Sequence, residues 1–193
     1  MINALYEPFP ESVVIHGKSY EILTDFKEWF KFSDMLEDKK LSEKEKLLSL
    51  TKWFIFPPKV IDKDLVNALC NFYRATDLEF DAHEEDKGSD EHTFRPPVLN
   101  WKIDAKYIIG DFLRFYGIDL LSAEMHWWEF RILLAALPDD SQMMKRIAYR
   151  GADLGQIRNE AERKRVMRMK QLFALPYELD DDDIGAVFGG SIS

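Results

Sequence analysis

The chain has 193 residues, 46% hydrophobic and 13% aromatic, enough for one sizeable core or two small packed units and too apolar for a disordered chain. Its formal charge of −9 opposes binding to a phosphate backbone, although a local basic segment can override the average. The single Cys70 excludes an intramolecular disulfide and fits a reducing compartment, and no apolar run approaches the length needed to cross a bilayer.

The N-terminal MINALYEPFPES carries acid and proline where a signal peptide needs a basic region and an apolar run, so a soluble intracellular protein is expected. Residues 12–16 (SVVIH) and 19–23 (SYEIL) are β-branched or aromatic runs flanking Gly17-Lys18. Glycine at the first central position suits a type II′ turn, which predicts a short hairpin. A lone hairpin is marginal in water and needs something to lie on. The expected support is a helix opened by the capping box Asp25-x-x-Glu28, with Phe26, Trp29, Phe30, Phe32 and Leu36 as its apolar positions. A second box, Ser42-x-x-Glu45, predicts a helix carrying Leu47, Leu48, Leu50, Thr51 and Phe54, stopped by Pro57-Pro58. Asp62 opens a third, with Leu65, Val66, Leu69, Cys70, Phe72 and Tyr73.

Residues 77–97 hold eight acids against one lysine before Arg95 and end in two prolines, the composition of a flexible linker or long loop. The strongest signals follow, in residues 103–137. Ala105, Ile108, Ile109, Phe112, Leu113 and Tyr116 form one helical stripe, with Asp104 as the expected cap and Gly117 as the left-handed stop. A second helix is expected from Ser122, with Glu124 in its first turn and an almost wholly apolar run from Met125 to Leu137. Such a helix needs neighbours on several faces, so this pair is expected at the centre of a helical domain. Beyond Pro138, Asp139-x-x-Gln142 predicts a helix through Met143, Met144, Ile147 and Tyr149, ended by Gly151. Asn159-x-x-Glu162 predicts the last, with Glu162, Val166, Met169 and Phe173 on one face and Pro176 at its end. Residues 177–193 contain four consecutive aspartates, then glycines and serines, and read as an unstructured acidic tail.

The expected fold is therefore mainly α, a helical domain with a small N-terminal β-hairpin. The expected division is 1–76 (hairpin plus three helices), 77–97 (acidic linker), 98–176 (helices packed around 103–137) and 177–193 (tail). The alternative is a single compact domain over 12–176.

Chemistry is hard to find. Cys70, His83, His92 and His126 lack zinc-ligand spacing, and the tail lacks the bidentate glutamate of a calcium loop. No GxSxG, P-loop or GxGxxG occurs, and the many acids read as solvated faces. Neither an enzyme nor a cofactor or metal site is expected. A helical nucleic-acid-binding protein is the physical alternative, because residues 143–170 hold nine Lys/Arg against three Asp/Glu. The helix after Gly117, however, is too apolar to reach base edges, and the basic run can equally meet the chain's own acidic linker or tail. Trp127 and Trp128 are adjacent, so on a helix they point about 100° apart. Both are core, or one faces a partner. Alignment with Met125 and Ile132 makes Trp128 the core member and Trp127 the candidate contact, since tryptophan is enriched in binding hot spots.

Taken in order, HGKSYEILTDFKEWFKF, DLVNALCNFYRA, IDAKYIIGDFLRFYGIDL, HWWEFRILLAALPDD and IAYRGADLGQI resemble the bacteriophage gene-product-fifteen family of tailed phages and prophages of Gram-positive bacteria. The specific part is the GIDL–HWW run followed by Ala148-Tyr149-Arg150 with Asp153-Leu154. His16-Gly17 stands where the family has Asp/Asn-Gly, and the resemblance spans 12–176. It implies a non-enzymatic tail-assembly chaperone acting in the host cytoplasm, which binds the tape-measure protein and helps tail-tube protein polymerise around it. The rival is a minor structural protein of the finished tail. The candidate partner-contacting residues are Trp127, His126 and Arg150. No membrane partner is expected, nucleic acid is disfavoured, and homo-oligomerisation is compatible with these features.

Overall fold

The computed structural model describes residues 5–78 and 97–176. The protein is 58% helical, with seven α-helices and one two-stranded antiparallel sheet among the described residues, so it is mainly α as expected. The expected acidic linker falls almost entirely, and the expected tail wholly, outside the described residues.

Strands β1 (Ser12–Ile15) and β2 (Lys18–Glu21) pair with Ile15 opposite Lys18, so the turn is His16-Gly17, one residue earlier than expected. Both have positive φ, 49° and 73°, which is a type I′ turn, the one whose twist matches that of the strands. His16 tolerates the left-handed conformation while its ring reaches Asp62 at 2.7 Å.

The helices are α1 (Phe26–Glu37), α2 (Glu43–Ser49), α3 (Lys63–Arg74), α4 (Trp101–Tyr116), α5 (Trp127–Ala135), α6 (Gln142–Gly151) and α7 (Glu160–Phe173). Local cap chemistry sets most starts. Ser42 and Glu45 close a full capping box, Asp62 accepts from Leu65 N–H, and Asn159 accepts from Glu162 N–H. At α1 the expected box is only half made. Asp25 accepts from Lys27 N–H, while the Glu28 carboxylate turns to Lys31 at 2.6 Å.

Three starts differ from expectation. Helix α4 opens earlier, with Asn100 accepting from Lys102 and Ile103 N–H, which leaves Asp104 inside the helix. Helix α6 is capped by Ser141 rather than Asp139. Helix α5 starts not after Ser122 but at Trp127, where the Nδ1 of His126 accepts from Trp128 N–H at 3.0 Å. The stop at Gly117 is as expected: with φ 70° its N–H reaches Leu113 O, and Ile118 N–H reaches Phe112 O.

The chain forms two interleaved compact units, residues 1–83 with 122–136, and residues 84–121 with 137–193. Helices α4 and α5, expected to form one central pair, thus belong to different units.

The first unit has an aromatic core. Trp29, Phe32, Trp127 and Phe130 are fully buried, and Phe26 stacks on Phe130 at 5.2 Å and 9°. Such pairs add about 0.5–1.5 kcal/mol each beyond burial. Helices α1 and α5 start side by side. Phe26 N–H donates to Met125 O and Trp127 N–H to Thr24 O, satisfying two donors that a helix start leaves open.

The second unit is built differently. Its apolar core is small, with Ile108, Phe112, Leu137 and Met143 at its heart, and Asp104, Asp111, Ser141, Arg146 and Arg150 are buried beside them. Every buried side-chain nitrogen and oxygen among the described residues has a hydrogen-bond partner.

Candidate functional site

The three candidate contact residues all point inward. Trp127, expected on the surface, is 0% exposed and Trp128 is 1%. Their indole N–H groups donate to consecutive carbonyls, Trp127 to Tyr73 and Trp128 to Phe72, each at 2.8 Å. The carbonyls at the C-terminal end of α3 lack an i+4 helical partner; Phe72 O also accepts from Ala75 N–H and Tyr73 O from Arg131, and the two tryptophans fanned around α5 add one donor to each. Trp127 also stacks on Tyr73, 5.4 Å apart and 6° from parallel. Neither ring is offered to solvent, so the expected division into a core Trp128 and an exposed Trp127 does not hold.

His126 is half-buried against Phe9, 5.0 Å away and stacked. Its Nδ1 accepts from Trp128 N–H, which leaves Nε2 to donate to Pro10 O at 3.1 Å. The ring is thus the neutral Nε2–H form. Burial pushes its pKa below 6.5, against the smaller upward pull of the Pro10 carbonyl, Glu129 and Glu11.

Arg150 is 6% exposed. Its guanidinium makes a bidentate pair with Asp104, at 2.6 and 2.9 Å, and donates to Val98 O and Phe173 O. One side chain therefore ties α6 to the approach of α4 and to the end of α7. Asp111, also read from sequence as solvated, accepts from Gln142 and Met143 N–H at 3.1 and 2.7 Å, a carboxylate set on the positive end of α6. Arg146 lies over Tyr107 at 3.3 Å and over Phe173 at 4.7 Å. These are scaffolding roles.

Free apolar surface lies elsewhere, in both units, and in the first unit part of it borders a groove. Leu47 and Leu48 of α2 are 43% and 55% exposed, and Ile55, Phe56 and Val60 are 47%, 76% and 64% exposed. A groove of about 300 Å³ opens between α2 and the start of α3, with Leu47, Ile61 and Val66 as its apolar walls and Asp62, Lys63 and Asn67 as its polar ones. The helix expected from sequence carries Leu47, Leu48, Leu50, Thr51 and Phe54 together, without saying which of them are covered. The missed signal is length: a helix as short as Glu43–Ser49 buries no residue, and it is Leu50, Trp53 and Phe54 just after it that pack inward.

No group of His, Cys, Asp and Glu among the described residues could hold a metal ion, and no helix there is long and apolar enough to cross a membrane. A family model for the bacteriophage Gp15 protein matches residues 5–175. The chain belongs to the bacteriophage Gp15 family. No curated protein and no solved structure matches it. The Gp15 family is not known as an enzyme family.

Proposed function

We propose that this Gp15 protein is a tail-assembly chaperone that binds the phage tape-measure protein and promotes tail-tube assembly in the host cytoplasm. Two features support the reading: membership of the family over 5–175, and the apolar surface that α2 and the following residues leave open. A tape-measure protein is long and helical, and an amphipathic helix is recognised by laying its apolar face into a groove. The groove between α2 and α3 has apolar walls and a polar rim suited to that. The chain's net charge of −9 keeps such a loaded complex soluble.

Co-expression with the tape-measure protein of the same phage, followed by pull-down, tests the reading. Retention is expected for the natural chain and at least a tenfold loss for Leu48→Asp with Phe56→Asp, with the helical circular dichroism unchanged. The protein is also expected to be absent from purified virions. Presence there at fixed stoichiometry would make it a minor structural protein of the tail instead. The nucleic-acid reading keeps one observation in its favour, the cationic surface of α7, whose occupant is argued below.

A further inference from the structure

Helix α7 buries only Val166. On its inward side Lys170 donates to Ala152 O at 2.8 Å, and Phe173 packs against Tyr149 and Arg146. The outward side is cationic and open. Arg163, Arg165 and Arg168 are exposed, and no carboxylate among the described residues pairs with them. Lys164 meets only the exposed Glu160, at 2.7 Å. Met167 and Leu172 on the same helix are 43% and 70% exposed. Five cations against two acids therefore stand on one helix of a chain whose total charge is −9.

The same chain carries the complement nearby. Asp180–Asp183 are four consecutive acids that begin seven residues beyond the end of the helix, and Tyr177 and Leu179 precede them. We propose that the outward face of α7 is the docking surface of the chain's own acidic segment, with Asp180–Asp183 on Arg165 and Arg168 beside Lys164, the cations that helical spacing sets on the side away from Val166. Extended chain covers about 3.3 Å per residue, so seven residues reach roughly 23 Å. The 14-residue helix is about 21 Å long, and all three cations lie within that reach. Exposed ion pairs are individually weak. A short tether, however, holds the acids at millimolar effective concentration, where several weak pairs act together. Docked, the segment covers this strongly basic helix and keeps it from phosphate-bearing competitors, which its cations would otherwise attract without specificity.

Zero-length carbodiimide cross-linking of the full-length protein, read by mass spectrometry, tests this. The expected product joins Lys164 to a carboxylate of Asp180–Asp183 within one chain. It should disappear at 1 M salt, where the screening length is about 3 Å, while the local Glu160–Lys164 product persists. It should also fall at least fivefold in the double variant Arg165→Gln, Arg168→Gln. A product between two chains, a product from the acids of residues 84–91, or a yield insensitive to salt would each overturn the proposal. So would the absence of any product from Asp180–Asp183. The salt series on the natural chain decides the matter even if the double variant fails to fold.

Discussion

Asp104 and Arg150 show how much one buried pair can organise. The carboxylate is fully buried, accepts twice from the guanidinium, and also accepts from Asn100 N–H at 3.0 Å. Removing one member leaves the other charged, desolvated and unpaired. Asp104→Leu or Arg150→Met alone should therefore cost about 3–5 kcal/mol, while the double replacement should cost less than either single one. Urea denaturation of the three variants checks this; a double variant as unstable as the sum of the singles would contradict it. His126 makes the second prediction. Its folded pKa is depressed below 6.5 by burial, so the neutral ring contributes stability that is present above pH 6.5. As pH falls through 6.5 the unfolded chain takes up the proton first, and that stability is lost down to the folded pKa. Asn caps helices through its side-chain oxygen without titrating. His126→Asn should then melt with a smaller drop between about pH 7.5 and pH 5 than the natural chain. His16, drawn upward chiefly by its hydrogen bond to Asp62, acts in the opposite sense, losing its contribution as pH rises through its folded pKa.

Among the elements, α4 allows one substitution to be tried with opposite signs. Gly110 lies mid-helix with nothing within 4 Å of where a Cβ would stand, whereas Gly117, equally open, has φ 70°. Space is the same at both, so backbone conformation decides. Gly110→Ala should stabilise by about 0.5–1 kcal/mol through helix propensity and reduced freedom of the unfolded chain. Gly117→Ala should destabilise by roughly 1–2 kcal/mol because a side chain disfavours the left-handed stop. Thermal melts of the two variants, run in parallel, should move in opposite directions. Equal shifts would mean that α4 does not end as described.

For the whole molecule, the interleaving of the chain matters more than any local boundary. Helix α5 lies in the unit formed with residues 1–83, and it brings Trp127, Trp128 and Phe130, all buried there. A fragment 1–83 keeps the hairpin and α1 to α3 but loses these rings, and truncating even one such ring costs about 3–5 kcal/mol. It should give no cooperative unfolding transition and should bind a hydrophobic dye. Adding residues 122–136 in trans as a peptide should restore part of the signal. A fragment that folds cooperatively alone would show that the composition break at 77–97 is a true domain boundary.

What the sequence determined by itself is the class of the fold and part of what is decided within four residues; the caps at Asn100, His126 and Ser141 are just as local, but stronger-looking cap residues nearby hid them. The boxes and caps at Ser42, Asp62 and Asn159 are legible because donor and acceptor are neighbours in the chain, and so is the stop at Gly117. The family, too, was legible in the order of its motifs. Tertiary structure decided the rest, because the partners are distant. Asp104 looks like a helix cap until Arg150, 46 residues on, claims it, and Asp111 looks solvated until it meets the start of α6, 31 residues on. Trp127 looked like a contact surface because helical geometry says only that adjacent tryptophans diverge. Which of them is covered depends on the end of α3, more than 50 residues earlier, whose last carbonyls accept from both indoles. The candidate groove was hidden for the converse reason. Periodicity marks Leu47 and Leu48 as apolar, and only the packing of the turns after α2 shows that nothing in their own unit covers them.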